Sequence, residues 1–355
     1  MVLEQLISIV ISSGNFYAIW LILTLSLNYE YGYNGILNFG KVLFFGIGAF
    51  AAGYVAANLT NLVAGTVVDM CSAQAVQLRL ETARADPFFA VVSFLASLAA
   101  GAGLAGIFGL LLTISTLRIK EGFILGIVLL AAGETSRVVV RNYDPIVCGY
   151  HGLVGIPNPF IFIGSAELST YYLSGLIWAV ATINFIILYK LTRSPYGRML
   201  KSVRENELAA ESFGKNISEV RRNVLFIGSM MSGVAGVLYA YYIGFVAADD
   251  FTSLKTFDIW VAMMLGGVGN HWGAVAGALL VTTIDRGTRA LRGWLATLNI
   301  PIEMLYVRWI IVGIVMLVIL MYRSNGLIPE GPIRTPAYRV FGEARLRWAR
   351  WKKFW

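Results

Sequence analysis

Apolar residues gather into eight long runs along the chain, at about Leu6 to Tyr29, Ile36 to Leu59, Phe88 to Leu117, Gly122 to Val140, Tyr171 to Leu191, Val224 to Val246, Phe257 to Ile284 and Ile302 to Tyr322. Each is long enough to cross a bilayer as a helix at roughly 20 residues per span. Lipid offers no partner for backbone N–H and C=O groups, so the spans must be helical. The pattern predicts an all-α integral membrane protein, a polytopic helical bundle of about eight crossings. The N-terminal MVLEQLISIV has no basic leader and no small-residue cleavage site after it, so it reads as a retained span.

The seventh run is the irregular one. GGVGNHWG, Gly266 to Gly273, places four glycines and two polar side chains in mid-span. Broken helices of this kind occur where they line a cavity or are buried in protein. A re-entrant or doubly crossing segment is predicted near residues 257–284, with a matching irregularity at YGYNGILNFGK, Tyr31 to Lys41. The alternative is an ordinary kinked span.

Charge sharpens this reading. Of the net +8, Lys190 to Arg222 carries eight Lys/Arg against four Glu, and Arg323 to Trp355 carries eight against two. The positive-inside rule places both in the cytoplasm. An even number of crossings must then separate them, yet three apolar runs intervene, so one run fails to cross or crosses twice. Residues 1–322 form the transmembrane domain, with a cytoplasmic segment at 192–222, and 323–355 form a basic-aromatic cytoplasmic tail suited to anionic headgroups. Leu59 to Phe88, a mixed loop, and Arg141 to Thr170, rich in Gly and Pro, then face outside.

Composition narrows the function. With 57% hydrophobic and 14% charged residues, against roughly a quarter charged in soluble domains, neither a cytosolic globule nor disorder fits. Cys71 and Cys148 lack the spacing of a zinc site and are too few for a disulfide framework, so both read as incidental. His151 and His271 are the only histidines. No metal centre and no catalytic residues are indicated, no base stands beside a nucleophile, and the chain reads as a non-enzyme without nucleic-acid partners. No GxxxxGK[ST] occurs, so ATP and Mg²⁺, if used, belong to partner chains and no cofactor is bound here. GAGLAG, Gly101 to Gly106, lacks a preceding strand and reads as a helix-packing surface, as do Gly269, Gly273 and Gly277.

RSPYGRMLKSVRENELAAESFGKN, Arg193 to Asn216, carries most information. Ser194 caps, Pro195 suits the first helical position and Gly214 terminates, which predicts one surface helix of about five turns. Asn216 with Glu219 forms a capping box for the next span. A capped, charged helix between two spans is either a solvated connector or a docking surface. Ionisable groups within spans include Lys41, Glu134 and Arg137, with Asp258 and Asp285 near the ends of the broken segment. Such groups default to a bundle interior, a partner or a water-filled path. Asn38, Lys41, Glu134, Gly266, Gly267 and Gly269 are the candidate translocation pathway, and Glu134 with Arg137 share a helix face and can neutralise each other.

Several segments resemble the permease subunits of branched-chain amino acid ABC importers, the LivM-like branch of the branched-chain and urea-amide permeases. The resemblance is carried by SLNYEYGYNGILNFGKVLFFGIGAF (Ser26 to Phe50), TLRIKEGFILGIVLLAAGE (Thr116 to Glu134), CGYHGLVGIP (Cys148 to Pro157), Ser194 to Asn216, GVAGVLYA (Gly233 to Ala240) and MLGGVGNHWGAVAGA (Met264 to Ala278). Lys41 stands where the family has His, and CGYHGL replaces its more usual GGS/T-N/D-GL. The resemblance implies one half of an importer in the cell membrane, working by alternating access. Its partners would be a second related permease, two cytosolic ATPases docked on the 194–214 helix, an extracytoplasmic solute-binding protein and the lipid bilayer. Arg204, Glu205, Asn206, Glu207, Ala209, Ala210 and Gly214 match the cytoplasmic motif and become ATPase-coupling candidates. The implied substrates are branched-chain or other hydrophobic amino acids, with urea or short-chain amides as the alternative. A self-contained secondary transporter or channel is the reading from another class.

Overall fold

The computed structural model describes residues 2–66, 68–119, 121–296 and 304–331 of the chain. Among the described residues, six helices are long and apolar enough to cross a membrane, and they lie in α1 (Val2–Leu27), α2 (Lys41–Ala64), α4 (Pro87–Arg118), α5 (Gly122–Arg141), α7 (Ala166–Arg193) and α10 (Ile217–Ile243). The chain is an all-α polytopic membrane protein.

Small residues set the centre of the bundle. Gly236 of α10 rests on the Phe45 carbonyl of α2, and Gly233 lies against both Gly48 of α2 and Gly101 of α4. A Cβ at Gly101 would also meet the Val237 side chain, so GAGLAG is a packing surface. With little apolar driving force between helices in lipid, such close approaches supply the van der Waals contact that holds them. Helix starts follow their caps. Asp86 accepts from the Phe88 amide at 2.9 Å with Pro87 at the first position, and Asn216 accepts from the Glu219 amide at 3.2 Å.

The broken run is two helices, α11 (Ser253–Gly266) and α12 (His271–Ala296). A Cβ at Gly273 would lie 2.8 Å from the Gly266 carbonyl, and Gly277 presses on the Ala262 carbonyl, so residue numbers rise on one helix as they fall on the other. This antiparallel hairpin turns at Gly267 and Gly269, whose φ of +123° and +77° only glycine adopts without strain. α13 (Met304–Tyr322) returns alongside, and the chain beyond it folds under the hairpin, where the Leu327 and Ile328 amides donate to the Leu265 and Gly266 carbonyls at 2.9 Å each. The hairpin resolves the odd count of apolar runs. Lys201 and Arg204 meet Glu330, so the basic segment 190–222 and the start of the second basic segment share one end of the bundle. The predicted first-half irregularity is also present, a π-helical turn at Asn28–Tyr33 continuing α1, then non-helical chain to Gly40.

Three expectations need correction. Cys71 and Cys148 are not incidental, because they form a disulfide across a sequence separation of 77. The stretch expected as a mixed loop contains α3 (Ala73–Ala85), whose Ser72 accepts from the Ala75 amide. Arg79 of α3 is 1% exposed and donates to the Met70 and Val154 carbonyls, fastening the disulfide loop to a short ribbon of β1 (Leu153–Val154) and β2 (Phe245–Val246) in antiparallel register. Cysteine spacing carries no sign of this, since the two residues meet only through the folding of separate loops. The single helix expected over 194–214 is two, α8 (Pro195–Glu205) and α9 (Glu207–Ser212). Asn206 leaves helical backbone between them and its side chain accepts from the Ala209 amide at 3.0 Å, so a residue that favours caps ends one helix and starts the next. Residues 332–355 of the basic-aromatic tail lie outside the described residues.

Candidate functional site

The two irregular segments meet. The Gly269 amide donates to Asn28 Oδ1 at 2.8 Å, and a Cβ on Gly32 would stand 2.7 Å from the Gly269 nitrogen. Trp260 Nε1 donates to the Asn38 carbonyl at 3.0 Å, and the Val42 amide to Thr256 Oγ1 at 3.1 Å. Backbone groups freed by one break are thus satisfied by the element carrying the other, as non-helical chain at membrane depth requires.

Beside this junction lies a sealed ion pair. Lys41 Nζ is 2.7 Å from Glu30 Oε1, with both side chains fully buried. The same nitrogen donates to the Gly228 carbonyl at 3.2 Å, and Asn38 Nδ2 donates to Glu30 Oε2 at 2.9 Å. A side chain at Gly228 would collide with the Glu30 carboxylate. Lys41 therefore neither snorkels to the interface nor stands free in a cavity. Glu30 was missed because the apolar run appears to the eye to end at Tyr29, although the π turn carries the span to Tyr33. An acid 11 residues before a buried lysine was the available signal.

The other pathway candidates are spread along the bundle. Glu134 accepts from Arg137 at 2.8 Å and from the Ser253 amide at 2.9 Å, and Arg137 reaches Asp249 at 2.9 Å, which ties α5 to the turn entering α11. Gly266 and Gly267 lie in the hairpin tip beneath Ile328, and Gly269 beside the Glu330 carboxylate. Cavities of about 660 Å³ and 280 Å³ flank this tip, the first bordered by Tyr31, Gly35, Arg204 and Val268, the second by Tyr33, Lys201, Gly269 and His271. Of the packing glycines, Gly273 and Gly277 seat α12 on α11, while Gly269 shapes the turn.

α8 and α9 lie over the junction. Arg204 donates to the Gly32 carbonyl in the first break and pairs with Glu330 at 3.0 Å and with Glu205 at 2.8 Å. Burial works against its charge, but the carboxylates of Glu205 and Glu330 outweigh it and raise its pKa above the usual arginine value. Glu207 pairs with Arg221, which donates to the Thr116 carbonyl at 2.6 Å. Ala210 is buried beneath α9, Ala209 receives the Asn206 cap, and Gly214 ends the segment at φ +74°. Leu208 and Phe213 were not among the candidates, yet they are 77% and 83% exposed. Two large apolar side chains in a polar segment were the signal for them.

Residues 9–320 match the family described as branched-chain amino acid transport system / permease component. The chain belongs to this permease family. It is 31% identical to the probable branched-chain amino acid transport permease protein LivM of Methanocaldococcus jannaschii, over 90% of this chain and 93% of the relative. The high-affinity LivM protein of Salmonella typhimurium is 25% identical over 88% of this chain and 68% of its own length. A guanosine ABC transporter permease protein of Bacillus subtilis is 28% identical over 74% of this chain and 76% of its own. No solved structure matches the permease. It is a multi-pass membrane protein whose relatives are transport permease proteins. Among the described residues of the permease, no group of three or more His, Cys, Asp or Glu is placed to hold a metal ion.

Proposed function

We propose that this permease is one membrane-spanning half of an ATP-driven importer for branched-chain or other hydrophobic amino acids, working by alternating access. It would act with a second related permease, two cytosolic ATPases that bind and hydrolyse MgATP, and an extracytoplasmic solute-binding protein. The observation that carries the coupling assignment is Arg204, a residue of the α8–α9 surface that holds the Gly32 carbonyl of one broken segment and Glu330 beneath the other. A partner that pulls on α8 pulls on both breaks through one guanidinium. Leu208 and Phe213 give that partner an apolar grip in a segment that also carries Glu205, Glu207 and Glu211.

Orientation has two independent supports. Basic residues concentrate at the α8–α9 end, as for a cytoplasmic face. The Cys71–Cys148 disulfide lies at the opposite end with the β1–β2 ribbon, and disulfides persist in oxidising compartments outside the cytosol. The amino acid reading is supported by the relative that aligns over 90% of the chain. The test is uptake of labelled L-leucine, with urea and guanosine in parallel, by vesicles containing this chain, its permease partner, the ATPases and the binding protein. Leucine uptake lost when the ATPases are omitted is the expected result. Urea or guanosine uptake alone changes the substrate, and ATP-independent uptake by the single chain overturns the coupling.

A further inference from the structure

A second constellation of charges lies near the disulfide end, away from the Glu30–Lys41 pair. Here α1, α10, α11, α12 and α13 enclose a chamber of about 300 Å³, at the small end of the range for ligand pockets. One wall is apolar, built from Phe16, Trp20, Tyr239 and Ile243. The other carries Lys255, Arg286, Arg289 and Arg308 against Asp250, Asp258 and Asp285, an excess of one positive charge.

Part of this set is internally neutralised. Arg308 holds Asp258 Oδ2 at 2.6 Å and Asp285 Oδ1 at 3.1 Å, and Arg289 pairs with Asp285 at 3.1 Å. What remains is open hydrogen-bonding capacity and a lysine without an ion pair among the described residues. Asp258 is 3% exposed, yet its Oδ1 has no hydrogen-bond partner, and neither does Oγ1 of Thr282, which is 6% exposed. Lys255 makes no salt bridge among the described residues, and its ammonium sits over the rings of Tyr239 and Phe251 at 5.0 and 5.6 Å. The Arg286 guanidinium lies 3.3 Å above the Phe16 ring; its Nε makes no hydrogen bond and stands 3.9 Å from Asp285 Oδ2, on a carboxylate already held by Arg289 and Arg308. Buried polar atoms are normally hydrogen-bonded, and leaving one unpaired costs roughly 1–3 kcal/mol. A chamber with an open carboxylate oxygen, an open hydroxyl, an unpaired lysine beside a loosely paired arginine, and an aromatic wall is complementary to a small molecule that bears a cation, an anion and an apolar group.

We propose that this chamber binds a hydrophobic α-amino acid as its zwitterion. The ligand carboxylate faces Lys255 and Arg286, its ammonium binds Asp258 Oδ1 and Thr282 Oγ1, and its side chain lies on Phe16, Trp20 and Tyr239. Recognition of both charged groups sets the chamber apart from a passage for neutral amides. That the occupant is transported rests on the import reading above, whereas the zwitterion site rests on the chamber alone. A larger cleft of about 790 Å³, lined by Ser12, Tyr17, Trp178 and Leu279, shares Thr282, Arg286 and Arg289 with the chamber and gives it an approach from the side of α1, α7 and α12.

The test uses the assembled transporter carrying Thr282→Cys. Both native cysteines are in the disulfide, so the introduced thiol is the only free one in this chain. Its reaction with a small methanethiosulfonate is followed with added L-leucine, leucinamide, which lacks the carboxylate, or 4-methylvalerate, which lacks the ammonium. L-Leucine is expected to slow modification at least tenfold, with each half-analogue requiring at least ten times the concentration for equal protection. Independently, Lys255→Met should raise the KM for leucine uptake tenfold or more, with recovery in Lys255→Arg. Absence of protection by leucine in a complex that imports leucine overturns the site and leaves the import reading standing, as does an unchanged KM in Lys255→Met. Protection in a complex that imports no leucine keeps the site and overturns the import reading.

Discussion

Lys41 and Glu30 show how a single side chain is interpreted through its partner. Alone, a lysine in an apolar run suggests a pathway or an interface; beside Glu30, with both residues fully buried, it is half of a neutral unit within the bundle. Removing one partner strands a charge in a low dielectric, at a cost of about 3–5 kcal/mol, whereas removing both together is far less harmful. Lys41→Met is therefore expected to lower the thermal midpoint of the purified protein strongly, and Glu30→Gln combined with Lys41→Met to recover most of it. Equal loss in the single and double variants, measured by thermal unfolding in detergent, would count against the pair as a unit. Lys41 was legible because a cation stands out in a hydrophobic run, and Glu30 was not because it sits at the run's edge. The charges of the zwitterion chamber were half legible for the same reason. Asp258 and Asp285 were conspicuous near the ends of the broken segment, but Lys255 and Arg286 flank apolar runs and resemble ordinary ends of spans, and Arg308, inside the last run, was passed over.

At the scale of elements, glycine placement foretold the most. Four glycines in GGVGNHWG announced a break, and charge parity announced that the break must return the chain to its starting side; the α11–α12 hairpin satisfies both. The division of the 194–214 segment was less legible, because Asn206 is acceptable within a helix by propensity alone and only its cap to Ala209 reveals the boundary. That division turns α9 outward and brings Leu208 and Phe213 to the surface. Replacing both with Ser is expected to reduce co-purification of the ATPases at least tenfold while the permease is still inserted, since neither side chain supports the bundle. ATPase recovery equal to that of the unaltered protein would move the docking surface elsewhere.

For the whole molecule, the two ends differ in chemistry. One is cationic, and the other is fastened by Cys71–Cys148 and by Arg79, whose pKa burial lowers from the usual arginine value. On the loop-entropy account, closing a loop of this length stabilises by at most about 4.5 kcal/mol, and less here because membrane helices already restrain the unfolded chain. The pairing makes a prediction about sidedness. After mild reduction of intact cells, a membrane-impermeant maleimide should label both cysteines, and labelling confined to inverted vesicles would reverse the orientation.

Glu330 stands eight residues beyond the end of α13, where a designer would be inclined to cut the chain or attach a fusion. It is nevertheless the anion shared by Lys201 and Arg204, so the hairpin tip and the α8 surface have their common counter-charge outside the membrane-spanning helices. A truncation at the last span would keep every transmembrane helix and still disconnect the two, whereas a junction placed after Gly331 preserves the contact.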